Sequence, residues 1–103
     1  MPIKPPGKYS FYKDDEFEAY INWYWEHFMK LIRNGGALGL EIAKDVCRRV
    51  SKYYFSKSNK AKDKFLSSRY EYLGKLFWKW YNQMNRGQSP EPYKKPNFRR
   101  KKK

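Results

Sequence analysis

The sequence predicts an all-α protein, a small three-helix bundle with a basic segment at each end. Apolar residues recur at steps of three and four through three stretches between residues 15 and 86. Asparagine and glycine end the first stretch at residues 34–36 and the last at 85–87. A chain of 103 residues has room for one domain. We therefore divide it into an N-terminal arm (1–13), a helical bundle (14–87) and a C-terminal tail (88–103).

The first predicted helix covers about residues 15–33. Its opening residues are acidic, which suits the helix dipole, and Asp15 with Glu18 has the spacing of a capping box. The residues expected to face the core recur at helical steps: Phe17, Ile21, Tyr24, Phe28, Leu31 and Ile32.

The second and third predicted helices cover about residues 37–55 and 60–86. The apolar face of the second is expected to hold Leu38, Ile42, Val46, Val50, Tyr53 and Tyr54, with a strip of small residues, Gly39, Ala43 and Cys47, beside it. The third has the most regular pattern: Leu66, Tyr70, Leu73, Phe77, Trp80 and Met84. Residues 56–64 are interpreted as a basic connector, in which Ser58 or Asn59 caps the third helix.

The two ends of the chain are predicted to lie outside the helices. Prolines at positions 2, 5 and 6 exclude a helix from the arm, which is expected to be extended. Its aromatic residues either serve as anchors for a partner or pack on the bundle, and the sequence leaves both open. The tail has three prolines and no apolar periodicity, which predicts a disordered basic segment.

Cys47 and His27 are the only residues of their kinds, which excludes most catalytic and metal-binding arrangements. A single cysteine forms no intrachain disulfide and provides too few thiolates for a cysteine zinc site. We expect no enzymatic activity, no metal and no cofactor. Because the sequence has no long apolar run and no secretory signal, we also expect no membrane insertion and no export through a signal peptide. The expected location is intracellular or within a virion.

The net charge of +14 predicts an acidic partner, and nucleic acid is favoured. The sequence contains no base-reading motif, so contacts to phosphate without sequence specificity are expected. Double-stranded DNA is the expected ligand, in preference to RNA. The candidate nucleic-acid-binding residues lie in the arm, on the backs of two helices, in the connector and in the tail: Lys4, Lys8, Lys13, Lys44, Arg48, Arg49, Lys52, Lys57, Lys60, Lys62, Lys64, Lys75, Lys79, Arg86, Lys94, Lys95, Arg99, Arg100 and Lys101.

Surplus aromatic and apolar residues predict self-association with another copy or a related subunit. Trp23 and Trp78 project away from the predicted apolar stripes, and Tyr72 and Leu76 flank one of them. The layout of arm, bundle and charge over the whole chain resembles the coat (major capsid) proteins of filamentous viruses of hyperthermophilic archaea. This resemblance implies a protein that wraps DNA inside a virion. Two alternatives stay open: a ribosomal or other RNA-associated protein, and a helical adaptor that binds an acidic protein.

The tail is predicted to supply a separable part of the affinity for nucleic acid. Removing residues 94–103 deletes seven cations and none of the helical apolar positions. The salt dependence of duplex DNA binding should therefore become shallower by roughly three to six units of slope, while the melting temperature stays unchanged. Titrations at several salt concentrations measure this slope, and an unchanged value would show that the tail does not contact phosphate.

Overall fold

The computed structural model describes residues 9–93, and this part of the chain contains two α-helices and no strand. Helix α1 is Asp14–Lys60 and helix α2 is Lys64–Asn85. The all-α class is confirmed. The predicted count of three helices is corrected to two, because the ranges assigned to the first two helices join without a loop into one helix, whose backbone is non-helical at Gly36. Residues 1–8 of the arm and 94–103 of the tail lie outside the described residues.

Helix α1 is sharply bent at Gly36. The backbone there has φ 58° and ψ −138°, a conformation that is practically restricted to glycine. The hydroxyl groups of Tyr20 and Tyr54 are 2.5 Å apart, whereas a straight helix would separate these residues by about 50 Å. The two halves of α1, residues 14–35 and 37–60, therefore lie side by side. The sequence signal at residues 34–36 marks this bend, which needs no intervening loop.

The halves of α1 approach most closely at Gly39. A Cβ atom added there would lie 1.9 Å from the backbone oxygen of Leu31. The buried face of the second half continues from Gly39 through Ala43, Cys47 and Ser51, at steps of four residues. Small side chains on this face leave room for the large rings of the first half.

This packing corrects the apolar face that we predicted for residues 37–55. Leu38, Ile42 and Tyr53 were expected in the core, but they are 71%, 42% and 56% exposed. The strip of small residues, predicted only to adjoin that face, is buried instead. The physical reason is steric, since a bulky side chain at the closest approach would force the two halves apart.

The core is mostly aromatic. The rings of Phe28, Phe77 and Trp80 contact one another edge to face, with centroids 5.1 to 6.1 Å apart. Tyr24 meets Phe77 in the same manner at 5.1 Å. These rings are almost completely buried, and such edge-to-face pairs add to the stabilisation from burial. The core joins the first half of α1 to α2, through residues that the periodicity assigned to the apolar faces of both.

Helix α2 packs antiparallel to the second half of α1. The Ser51 hydroxyl donates a hydrogen bond to the Gly74 carbonyl oxygen at 2.7 Å. The Phe55 ring covers Gly74, where an added Cβ atom would lie 2.8 Å from the ring. Further along the pair, the hydroxyls of Ser58 and Ser67 each donate to the other residue's carbonyl oxygen.

Both predicted helix caps are corrected. Ser58 bonds to Ser67, so the cap of α2 is Asp63, whose carboxylate accepts from the Phe65 N–H at 2.9 Å. The connector shrinks to residues 61–63, because α1 continues to Lys60. At the start of α1, Asp15 and Glu18 form no capping box. The N-cap is Lys13, which makes no side-chain capping bond.

The first part of the predicted tail is ordered against the bundle. Two indole groups hold it, because Trp25 donates to the Pro90 carbonyl and Trp80 to the Glu91 carbonyl, each at 2.9 Å. The Glu91 N–H in turn donates to the side-chain oxygen of Gln83 at 3.0 Å. Residues 88–93 therefore belong to the fold, contrary to the prediction of a disordered tail from residue 88.

The aromatic residues at the end of the arm also pack on the bundle. The ring of Phe11 lies 5.0 to 6.2 Å from the rings of Phe17, Tyr20, Tyr54 and Tyr70. These contacts tie the arm to both halves of α1 and to α2. The sequence left open whether the aromatic residues of the arm anchor a partner or pack on the bundle. Phe11 packs on the bundle.

The close approach at Gly39 predicts a large difference between two neighbouring glycines. Gly39→Ala places a methyl group against backbone and should destabilise the fold by about 2 kcal/mol or more. Gly35→Ala meets no atom within 4 Å and has no positive φ, so it should stabilise the helix by about 0.5 to 1 kcal/mol. Urea unfolding of both variants measures the difference. Equal stability would contradict the close packing of the two halves.

Candidate nucleic-acid interface

The cations on the helix backs are largely paired with neighbouring acids. Lys44 pairs with Glu41 at 3.2 Å, and Lys75 with Glu71 at 3.1 Å. The other pairs of this kind are Arg48 and Arg49 with Asp45, Lys79 with Glu91, and Lys13 with Glu16. Exposed pairs contribute little to stability, but each carboxylate reduces the positive potential of its cation. The helix-back stripes are thus weaker anion sites than the sequence indicated.

The junction between α1 and α2 carries cations of a different kind. Lys57 and Lys60 lie in the last turn of α1, Lys62 in the connector and Lys64 at the start of α2. We call these four residues the lysine corner. The sequence has no acid between Asp45 and Asp63, and within residues 9–93 none of the four ammonium groups belongs to an ion pair.

A cleft of about 270 Å³ opens at the lysine corner. It is lined by Lys57, Lys60, Ala61, Lys62, Asp63, Leu66 and Tyr70. The Lys57 ammonium lies 5.3 Å from the centroid of the Tyr70 ring and 5.5 Å from that of Tyr53, in cation–π contact with both. The cleft thus combines positive charge with an apolar and aromatic lining, which suits a ligand that has both an anionic and a flat part.

Asp63, the one carboxylate that lines this cleft, already has several hydrogen-bond donors. It accepts from the N–H groups of Phe65 and Leu66 and from the hydroxyl of Tyr12. The bond from Tyr12 lowers the pKa of Asp63, with help from the two N–H groups, and the same bond raises the pKa of Tyr12. Through these hydrogen bonds Asp63 holds both the start of α2 and the end of the arm.

Arg69 connects the corner to the start of α1. Its buried guanidinium pairs with Asp14 at 2.5 Å and stacks over the rings of Phe17 and Phe65, 4.5 and 4.7 Å from their centroids. The Phe65 ring is stacked in turn with Tyr12, at 5.6 Å and nearly parallel. Tyr12 is one of the arm aromatics for which the sequence left packing on the bundle open, whereas Arg69 was not predicted to have a structural role. The signal for Arg69 was its position four residues before the core residue Leu73.

The chain ends meet the fold beside this region. Tyr12 contacts Asp63 and Phe65, and the pKa of Tyr93 is raised mainly by burial, with further effects from Tyr72 and Glu18 and an opposing effect from Arg69. Two basic residues precede Tyr9 and seven follow Tyr93. Chain connectivity therefore attaches both basic ends near Arg69 and the start of α1.

The remaining candidate cations divide into two groups. Lys52 and Arg86 are exposed, and Arg86 lies at the opposite end of α2 from the corner. The other group lies outside the described residues: Lys4, Lys8, Lys94, Lys95, Arg99, Arg100 and Lys101.

The four candidate self-association residues are not equally exposed. Trp78 is 43% exposed and stacks with Tyr81 at 5.1 Å. Trp23 is half-buried and stacked on His27, whereas Tyr72 and Leu76 are partly buried and pack against the core. Trp23, predicted to project away from the apolar stripes, is partly buried against the core, and its ring also meets Tyr24 edge to face.

Cys47 and His27, the one cysteine and the one histidine of the sequence, are buried and partly buried, respectively. Burial raises the pKa of the Cys47 thiol, which lies in the core. The pKa of His27 is lowered by partial burial and by Lys30. In the part of the chain from Tyr9 to Tyr93, no three His, Cys, Asp or Glu residues are grouped so that they could hold a metal ion.

Fold and site define a small basic helical protein with a cationic cleft at the junction of its helices. No protein-family model, no curated protein and no solved structure matches this chain. Neither described helix has a stretch long and apolar enough to cross a lipid bilayer.

The lowered pKa of Asp63 predicts a loss of stability in acid. Its carboxylate contributes fully above the unfolded pKa, near 3.8, and the contribution is lost as the pH falls through the lower folded pKa. The melting temperature of the wild type should therefore fall more steeply below pH 4 than that of Asp63→Ala, which is already less stable at pH 7. Thermal unfolding between pH 2 and 7 measures both curves, and parallel curves would contradict the role of Asp63.

Proposed function

We propose that this protein binds nucleic acid without sequence specificity, duplex DNA in preference to RNA, and packs along it in many copies. The observation that carries the proposal is the lysine corner, where four cations lie together without an ion pair in the described chain. Phosphate contacts release counterions from the nucleic acid, and cations not already paired with carboxylates are best suited to make them.

The position of the two chain ends supports the same proposal. Nine of the 24 basic residues belong to residues 1–8 and 94–103, and both segments attach near the corner and the Arg69 contacts. A polyanion such as DNA meets several cations at once there, and each such contact adds to affinity without reading sequence.

The exposed apolar side chains support the multi-copy part of the proposal. Trp78, Leu38 and Ile42 are large apolar residues with 42% or more of their surface exposed. Tryptophan is a frequent anchor of protein interfaces. Contacts through these residues would join neighbouring copies on one DNA molecule, in a coat-like or nucleoid-like assembly.

The proposal predicts that lysine-corner variants lose much more DNA affinity than helix-back variants of equal charge. The triple variant Lys60→Gln, Lys62→Gln, Lys64→Gln should lower the slope of log affinity against log salt by roughly two to three units on duplex DNA. The matched control is Lys44→Gln, Arg48→Gln, Lys75→Gln, which removes three cations that pair with acids. Its slope should change by less than about one unit.

Fluorescence anisotropy with a labelled duplex, measured at several salt concentrations, gives both slopes. Equal losses in the two triple variants would show that net charge, and not the corner, determines binding. An RNA duplex of the same length tests the preference for DNA. Failure of the wild-type protein to bind either duplex at low salt would reject the proposed function and favour an acidic protein partner.

A further inference from the structure

The ring of Tyr12 ends a row of stacked groups at the edge of the lysine corner. The row begins inside the fold, where the Arg69 guanidinium stacks over Phe17 and over Phe65. Phe65 and Tyr12 continue it, with an angle of 6° between their rings. Tyr12 is 57% exposed, so the side of its ring away from Phe65 is open to solvent.

The orientation of this outer ring is fixed in advance. Its hydroxyl donates to Asp63, its face rests on Phe65, and the backbone beside it is held because the Lys13 N–H donates to the Ser10 carbonyl at 3.3 Å. An immobilised flat ring loses little further entropy when a second flat group stacks on it. The ring of Tyr12 therefore offers a fixed flat surface for stacking. A freely moving exposed side chain would lose more entropy on binding.

The charges around Tyr12 indicate which class of flat ligand would stack on its ring. Asp63, its hydrogen-bond partner, lies between Lys62 and Lys64 in the sequence, and Lys60 and Lys62 line the adjacent cleft. A flat ligand that is joined to a negatively charged backbone fits this combination of ring and lysines. Unpaired nucleotides have this chemistry, because bases stack on aromatic rings while neighbouring phosphates contact cations.

We propose that Tyr12 stacks on an unpaired nucleobase, so that the corner binds single-stranded nucleic acid through its bases as well as its phosphates. This rests on the proposed function and adds a second contact to it. The bases of closed duplex DNA are stacked on one another and present no free face to Tyr12, whereas a single strand offers both phosphates and the face of a base. The stacked base continues the row that runs outward from Phe17 and Arg69.

Two single-stranded probes of equal charge separate stacking from phosphate binding. One is a 16-residue oligothymidylate, and the other is an abasic oligomer of the same length and backbone. The wild-type protein should bind the oligothymidylate more tightly, by about 5- to 150-fold, the range observed when one base–aromatic stack is lost. Tyr12→Leu should bring the two affinities close together, and its binding to a covalently closed circular duplex should change no more than that of Tyr12→Phe, which also loses the bond to Asp63.

Three controls make the result specific to the ring. Tyr12→Phe keeps the ring and loses the bond to Asp63, so it should retain the preference for bases. Tyr53→Leu removes a tyrosine of similar exposure outside the row and should change the preference by less than about twofold, against the larger loss of a stack. The lysine-corner triple variant should weaken binding to both probes equally, and thermal unfolding verifies that every variant is folded.

The outcomes distinguish this proposal from the proposed function. If the wild type binds both probes equally, or if Tyr12→Leu and Tyr53→Leu reduce the preference alike, stacking on Tyr12 is wrong and phosphate binding remains. If the wild type binds neither probe nor duplex DNA at low salt, the proposed function fails as well. A preference for bases that is lost in Tyr12→Leu and kept in Tyr12→Phe supports the proposal.

Discussion

The contact between Gly39 and the Leu31 backbone determines how the rest of the molecule is arranged. Only a glycine at the closest approach, together with the backbone conformation of Gly36, lets the two halves of α1 lie side by side. This places Tyr20 beside Tyr54 and creates the groove that α2 closes. The aromatic core, the cleft and the positions of both chain ends all depend on this one bend.

Aromatic side chains hold both ends of the described chain on the bundle. In longer proteins a larger core provides this stabilisation. The indoles of Trp25 and Trp80 are donors to the backbone of residues 90 and 91, and Phe11 holds the other end of the described chain. A small protein buries a limited fraction of its surface, so each additional segment packed on the core matters for stability. The same contacts hold residues 9–13 and 88–93 of the described chain against the bundle.

The sequence was sufficient for the fold class and insufficient for the choice of buried face. Periodicity located the helical segments and most core residues of α2, because Leu73, Phe77, Trp80 and Met84 are all buried. It misplaced the face around Ile42, since hydrophobicity ranks leucine and isoleucine above glycine and alanine, whereas close packing favours the small residues. The lysine corner was predicted as a basic connector, but its lack of ion pairs depends on which acids fold next to it. The partners of Tyr12 and Arg69 were not predictable because these contacts span more than 50 residues.

The lysine corner also links binding to stability. Four ammonium groups without an acidic partner repel one another, and this repulsion disfavours the compact state in which they are brought together. A ligand with several negative charges would remove the repulsion only in the folded protein, so the proposed binding would stabilise the fold in proportion to the logarithm of ligand concentration. Asp63 limits the cost in the free protein, because its carboxylate lies among these lysines while it caps α2 and holds Tyr12. The same side chain therefore holds both the start of α2 and the ring of Tyr12 in position.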